Sequence, residues 1–579
     1  MKKLLFLCVA ALMCLAPLAA CTAAPSAAPT DAATPAATTA DVATVEPSAE
    51  PTPSAAAEGP LTKFDPPVDV TMALDFGIDP KFPEGQDFEN NIWLTEYRDL
   101  LGINVKYTWN AAGLENYETK LNLAIASGEL ADLICITNQG QLARLVEAGM
   151  IAEMGDTYEK FASPLVKEGF ASDEGLAMKQ TSINGKLWAI PQGPVGPSNF
   201  EYTYIREDWR LKLGLDVPKT TEDLLAIAEA FATKDPDGNG KADTYGILFS
   251  NEPYENYFNF RGFANSFGAY PTTWIKGADG KLVYGSVQPE MKAALAAAAD
   301  LYTKGAIDKE FVAKKSSAIT ADAVGGKGGI CFGQFWLITW PLPDTNKNNG
   351  DNSTQYWKPY PILNTAAATA NKGSMVQSRV TTMYAVNKSY AHPEALLKMY
   401  NLFADHMRGD TFDAAKYHTD PKTSNGIFGL APVQSWGVSN NNAVQNINVT
   451  KAIDSGDTSV LANAEQEATY AAVKEYVDGN HDAAHLTQYY LFYGPDSVFG
   501  IQNNILENKN YTNDMFYGGD TPEMLRRMSL LRSQELALIL DIITGNKPVD
   551  DFDAFVANWY AVGGETITFE VNQWYDSVK

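Results

Sequence analysis

The chain has 579 residues, with 70 Asp and Glu against 44 Lys and Arg, and a formal net charge of −26. Such an acidic balance disfavours nucleic acid and anionic lipid as partners. A hydrophobic content of 45 % is that of a globular protein with substantial cores, and the five cysteines and five histidines form no CxxC or Cys/His cluster that would make a zinc site.

Met1-Lys2-Lys3 is a short positive segment, and Leu4 to Pro17 is an apolar run too short to span a bilayer as a mature helix. Leu18-Ala19-Ala20-Cys21 follows, small residues before a cysteine, in the manner of a lipobox. The expectation is a signal peptide over 1–20, cleavage before Cys21 and acylation of Cys21. Ordinary secretory cleavage is the alternative. Residues 21–60 are mostly Ala, Pro, Thr and Ser, too poor in large apolar residues to fold, and read as an extended tether. No later segment is apolar enough to cross a membrane. The expected location is the cell surface, with the chain held by lipid alone.

Cys8 and Cys14 leave with the signal, so Cys135 and Cys331 remain in the body. Both lie in apolar runs and read as buried free thiols, a disulfide between them being the less favoured alternative.

The body alternates strand and helix. Val68–Phe76 has apolar residues at every second position. Asn91–Leu101 reads as a helix stopped by Gly102, Ile103–Trp109 as a strand, Tyr117–Ile125 as a helix face closed by Gly128, and Leu133–Ile136 as a short buried strand. The pattern predicts an α/β fold of two lobes with mostly parallel sheets. The chain is expected to cross near Trp188-Ala189-Ile190-Pro191 and return along Arg379–Val386. Lobe I is then 61–190 plus about 375–445, and lobe II 191–374 plus about 446–579 with C-terminal helices. His392-Pro393-Glu394 and Thr521-Pro522-Glu523 mark later helix starts.

The most specific pattern lies in Glu201–Gly246. Thr220 is placed as a helix N-cap with Asp223 three residues on, and Leu224, Leu225, Ala228 and Phe231 form the apolar face of that helix. Asp235, Asp237, Asn239, Lys241 and Asp243 follow with the D-x-D-x-N-G-K-x-D spacing of a calcium loop, Lys241 offering its carbonyl. Gly240 stands where such a loop turns sharply. Position 12, a bidentate Glu in an EF-hand, is Gly246 here. The site is therefore weaker than an EF-hand or takes an oxygen from elsewhere, and a bound Ca2+ would brace the fold. The bland alternative is a solvated Asp/Asn/Gly turn.

The segments IREDW-LKLGL-VPKT-EDL and KDPDGNGKADTYG resemble the type 1 extracellular solute-binding lipoproteins of bacterial ABC importers, a broad group that includes the alginate-binding proteins. Leu121–Ile136, Gly328–Trp336 and Phe552–Tyr575 carry the same resemblance across nearly all of the mature chain. It implies a two-lobed periplasmic-binding-protein-like fold, a monomer, and ABC permease subunits as partners. It also implies capture of a small solute, an oligosaccharide above all, by hinge closure without chemistry.

Ligand candidates are aromatic and polar residues at crossings and Gly-rich approaches, because sugars offer flat CH faces and many hydroxyls. Trp336 and Trp340 follow Gly333 and share a face if their segment is helical. Trp188, Tyr202, Tyr204, Arg206, Trp436 and Trp93 are further candidates, with core packing the alternative for the aromatics and an ion-pair network with Glu207 and Asp208 the alternative for Arg206. No residue is assigned a catalytic role. A surface glycosidase or lyase is the competing enzyme reading, and no G-x-S-x-G or HExxH motif accompanies it. A peptide or a lipid-like signal presented to a membrane sensor is the competing reading, and Arg206, Arg261 and Arg379 leave room for an anionic ligand.

Overall fold

The computed structural model describes residues 59–579 except 76, 78–80, 197–199, 256, 346–355, 367–373, 377–378, 421 and 423–425. The signal segment, Cys21 and nearly all of the tether lie outside the described residues.

Nine strands build two sheets: β1 (Val68–Asp75), β2 (Ile103–Ala111), β3 (Leu133–Ile136), β4 (Ile190–Pro191), β5 (Tyr202–Arg206), β6 (Tyr245–Ile247), β7 (Gly328–Gly333), β8 (Trp357–Pro361) and β9 (Met383–Val386). The first sheet has the order β2-β1-β3-β9-β4 and the second β8-β5-β7-β6. β1 runs parallel to β2 and β3, as the strand–helix alternation requires. β9 comes back antiparallel to β3, pairing Met383 with Ile136, and β4 is antiparallel to β9. In the second sheet only β6 and β7 are parallel, and β5 is antiparallel to both β7 and β8. The sheets are thus mixed rather than mostly parallel. Strands that enter from the other sheet arrive without a crossover helix, and nothing forces them into the parallel direction.

Local chemistry sets most element ends. The Asn91 side chain accepts from the Trp93 and Leu94 amides and starts a helix that widens into a π turn over Tyr97–Leu101, stopped by Gly102 at φ 67°. A Cβ at Gly102 would lie 2.5 Å from the Phe64 carbonyl, so glycine also permits the N-terminal strand entry. Thr220 and Asp223 form the expected capping box on the Thr221–Thr233 helix.

Three buried apolar clusters fill the body. One gathers Val70, Met72, Trp93 and Leu133 with Tyr384, Leu396 and Phe403, around the first sheet. A second joins Ile205, Phe231 and Ile330 to the C-terminal helices, where Trp559 stacks on Tyr284 at 5.2 Å. A third holds Tyr202, Tyr204 and Cys331 against the Val498–Glu507 helix. Cys135 and Cys331 are both free and sit in different sheets, and burial pushes the Cys135 thiol up to about 12.

The entry of the chain into the body is pinned by a buried lysine. Lys398 donates to the Gly59 and Thr62 carbonyls, each at 2.7 Å, and Asn401 donates to the Pro60 carbonyl at 3.0 Å. Burial pushes the Lys398 ammonium down to about 8, against roughly 10.4 in an unfolded chain. Between these values the unfolded state binds more protons, so stability rises with pH. Melting temperatures from pH 7 to 10 are expected to climb further in the wild type than in Lys398→Met, relative to each protein's value at pH 7. Equal slopes would refute the assignment.

Candidate functional site

β7 ends at Gly333, and the chain turns through a single 3-10 turn, Phe335–Ile338. That turn sets the Trp336 and Trp340 rings 6.2 Å apart and 25° from parallel. Tyr257, brought in by a bridge to Gly333, meets both rings at 5.4 and 5.9 Å. Trp336 Nε1 donates to Gln334 Oε1 at 3.0 Å, which fixes its plane. Trp340 keeps 49 % of its surface exposed, which a core residue of that size would not. The result is an aromatic platform with one side open to solvent.

The other candidates divide. Tyr204 is buried, and its hydroxyl donates to the Gln334 and Phe335 carbonyls at 3.0 and 3.2 Å, so it supports the platform from beneath. Tyr202 is buried with its hydroxyl on Gln502, and Arg206 is buried with a two-point bond to Asp208 at 2.9 and 2.7 Å under the Trp209 ring. Both serve the interior, because β5 is a central strand covered on both faces. Trp93 is also interior: Asn91 turns it inward, its Nε1 donates to the Ile427 carbonyl, and its ring stacks on Phe403 at 4.9 Å. Trp188 is half-buried and donates to the Ile183 carbonyl. Trp436 is 42 % exposed, edge-on to Phe428 and Phe403. Its amide donates to the Gln192 carbonyl, pairing two segments that flank the crossings between the sheets.

Sequence reasoning missed Tyr257, for which no local pattern existed. It also missed a polar group at the C-terminal ends of the parallel strands, where open α/β sheets bind ligands. Asp75, at the end of β1, accepts from the Gly77 and Gly113 amides. Beyond β3, Thr137 and Asn138 both donate to Glu118 Oε1, at 2.6 and 3.3 Å. A Cβ built on Gly519 would lie 3.9 Å from the neighbouring Gln139, so this polar edge meets the segment between Asn513 and Pro522. The strand-end rule could have found Asp75, Thr137 and Asn138.

A concavity of about 610 Å3 runs between the Asn441–Ser455 and Val498–Glu507 helices. Asn446, Ile447 and Thr450 are among its lining residues, and none of the aromatic platform is. Two candidate surfaces result: the aromatic platform of Trp336, Trp340 and Tyr257, and the polar strand ends at Asp75 and Glu118.

In the acidic loop, Asp235 adopts φ 47° and accepts from the Gly238, Asn239 and Gly240 amides at 3.0–3.1 Å. Asn239 Oδ1 accepts from the Lys241 amide, while Nδ2 donates to Asp237 at 2.7 Å and Asp243 at 3.0 Å. A hydrogen bond to Asp237 lowers the Asp235 carboxyl, and desolvation with the Asp235 contact raises that of Asp237. Among the described residues no three His, Cys, Asp or Glu side chains are gathered as a metal group. The donors nonetheless suit a hard cation: three crowded carboxylates, one amide and the free Lys241 carbonyl. Their present arrangement is held by the Asn239 NH2, which stands between two carboxylates as a cation would. Gly246 lies in β6, and a Cβ there would stand 2.2 Å from the Ala228 carbonyl.

The chain belongs to the bacterial extracellular solute-binding proteins, whose family model matches residues 95–407. Lipoprotein LipO of Bacillus subtilis (strain 168) is 30 % identical over 239 residues, 40 % of this chain and 44 % of LipO. FusA of Streptococcus pneumoniae, a fructooligosaccharide ABC transporter substrate-binding protein, is 28 % identical over 308 residues, 50 % of this chain and 52 % of FusA. The matches thus span about half the length of these relatives. The alginate-binding protein AlgQ2, solved without calcium ion, superposes with a TM-score of 0.60 at 16 % identity, over 89 % of this chain and 99 % of that one. FusA in complex with kestose superposes at 0.58 with 18 % identity, over 88 % and 99 %. An EF-hand mutant of FusA, with fructo-nystose, superposes at 0.56 with 18 % identity, over 88 % and 99 %. These likenesses establish a two-lobed α/β solute-binding fold.

Proposed function

We propose that this protein captures an oligosaccharide at the cell surface and delivers it to the permease subunits of an ABC importer. The observation that carries this reading is the half-exposed Trp340 beside Trp336 and Tyr257. Sugar rings present apolar CH faces that such a platform covers, while the carboxylates and amides at the strand ends take hydroxyls. The family match and the fructooligosaccharide relative support it.

The lobes we propose are 61–190 with about 375–445, and 191–374 with about 446–579. Ligand held by both would favour the closed arrangement through its greater affinity for that state. The protein acts as a monomer, changes nothing in its ligand, and is anchored through acylated Cys21. The acidic loop binds a structural Ca2+ through Asp235, Asp237, Asn239, Asp243 and the Lys241 carbonyl, once Asn239 presents its oxygen instead of its nitrogen.

Titration calorimetry of the mature protein against a set of oligosaccharides, with peptides beside them, tests the reading. One saturable sugar site is expected. At about 100 times Kd, the bound sugar adds roughly 2.7 kcal/mol of stability and raises the melting temperature. Binding of peptides alone, or turnover of a glycan into products, would overturn it.

A further inference from the structure

We propose, on the strength of the sugar-capture reading, that the ligand is a neutral oligosaccharide and that sugars bearing carboxylate groups are rejected. Two independent observations lead there.

The first is where the arginines are. Carboxylated sugars are held above all by guanidinium groups, whose planar fork matches a carboxylate. Of the three arginines that left room for an anion, Arg206 and Arg261 are committed inside the protein, and Arg379, about a third exposed, is already engaged. Arg206 is spent on Asp208, at 2.9 and 2.7 Å, and is 1 % exposed. Arg261 is buried, 3.7 Å from the buried Glu201 and bonded to the Tyr254 carbonyl at 2.6 Å. Arg379 donates to the Phe516 carbonyl at 2.7 Å and faces Asp514 at 3.5 Å. Taking any of them for a ligand would strand a buried carboxylate without its partner, at high cost.

The second is what the candidate site holds instead. Asp75 and Glu118 are met by backbone amides, a hydroxyl and an amide, and by no lysine or arginine among the described residues. Carboxylates met by neutral donors in this way retain spare lone pairs. They are acceptors for sugar hydroxyls and repel a second carboxylate. On the platform side, Glu252 and Glu255 are the charges felt by the Tyr257 hydroxyl, and the cation nearest to them, Lys315, is already 3.8 Å from Glu252. Of the cations beside the strand ends, Lys120 is bonded to the Asn110 carbonyl at 2.8 Å and Arg144 to Asn122 at 2.7 Å. At close range such repulsion is weakly screened, whereas the remote charge of the protein fades within a Debye length of about 8 Å at physiological salt.

The decisive experiment is calorimetry with matched trisaccharides and tetrasaccharides, the fructo- and xylo-oligosaccharides against galacturonate and mannuronate oligomers, at about 20 and 150 mM salt. Neutral sugars are expected to bind at least roughly 100-fold more tightly, with little salt dependence, since no charge pair forms. Glu118→Gln keeps an acceptor for Thr137 and removes the charge, and it should narrow the gap by tightening the uronates, most at low salt. Tight uronate binding by the wild type would overturn the charge inference and leave sugar capture standing. Binding of neither set would remove both.

Discussion

Gly246→Glu, which would complete the twelve-residue spacing of an EF-hand, is expected to destabilise the protein by more than about 3 kcal/mol and to leave its calcium response no stronger. The reason lies outside the loop. Gly246 is the central residue of β6, its amide donating to the Ala306 carbonyl at 2.8 Å, and it is pressed against the Thr221–Thr233 helix. A Cβ would stand 2.2 Å from the Ala228 carbonyl oxygen and 2.8 Å from its Cα, both backbone atoms of a packed helix that cannot swing aside. A carboxylate placed there would also be buried without a cation. Gly246→Ala should therefore already lower the denaturation midpoint, and Asp235→Ala should abolish any shift on adding chelator while costing less stability. An alanine variant as stable as the wild type would disprove the close approach. A glutamate variant stabilised by calcium would show that the loop can accept a twelfth-position ligand.

The same glycine illustrates which parts of the molecule can be read from the chain. Its departure from the motif was visible in the sequence, but its cause was a helix carbonyl eighteen positions earlier, brought close only by the packing of helix on sheet. Features written in neighbouring residues were legible: the Thr220–Asp223 capping box, the glycine stop at Gly102, and β3 with its bounds Leu133–Ile136. Strand direction was not, because β9 pairs with β3 only after the chain has built another sheet. The burial of several candidate residues was hidden for the same reason. Tyr202 and Tyr204 alternate as a half-exposed strand would, yet β5 is closed over on both faces. Trp93 follows a strand as a cleft residue would, but a side-chain cap at Asn91 and a distant Phe403 draw it inward. The adjacency of the Trp336 and Trp340 rings was legible because their four-residue spacing is local.

Trp340→Ala is expected to weaken oligosaccharide binding roughly 10- to 70-fold while leaving the melting temperature nearly unchanged. About half of the Trp340 surface is open, and a sugar face covering on the order of 100 Å2 of it would contribute roughly 2.5 kcal/mol at 25 cal/mol per Å2. The packed half of that ring meets Trp336 and Tyr257 at the surface, so its removal opens a solvent-filled notch and no enclosed cavity. Trp336→Ala should differ in kind. Trp336 is half-buried, bonded to Gln334 and wedged against Tyr257, so its loss should lower both affinity and melting temperature. Trp340→Phe keeps an aromatic face and should recover part of the affinity lost in the alanine variant. If the platform were only an exposed patch, Trp340→Ala would leave the binding isotherm of every sugar unchanged. If it were mainly structural, both alanine variants would lose melting temperature together. The contrast between two rings 6.2 Å apart thus separates a surface that grips a ligand from one that merely packs.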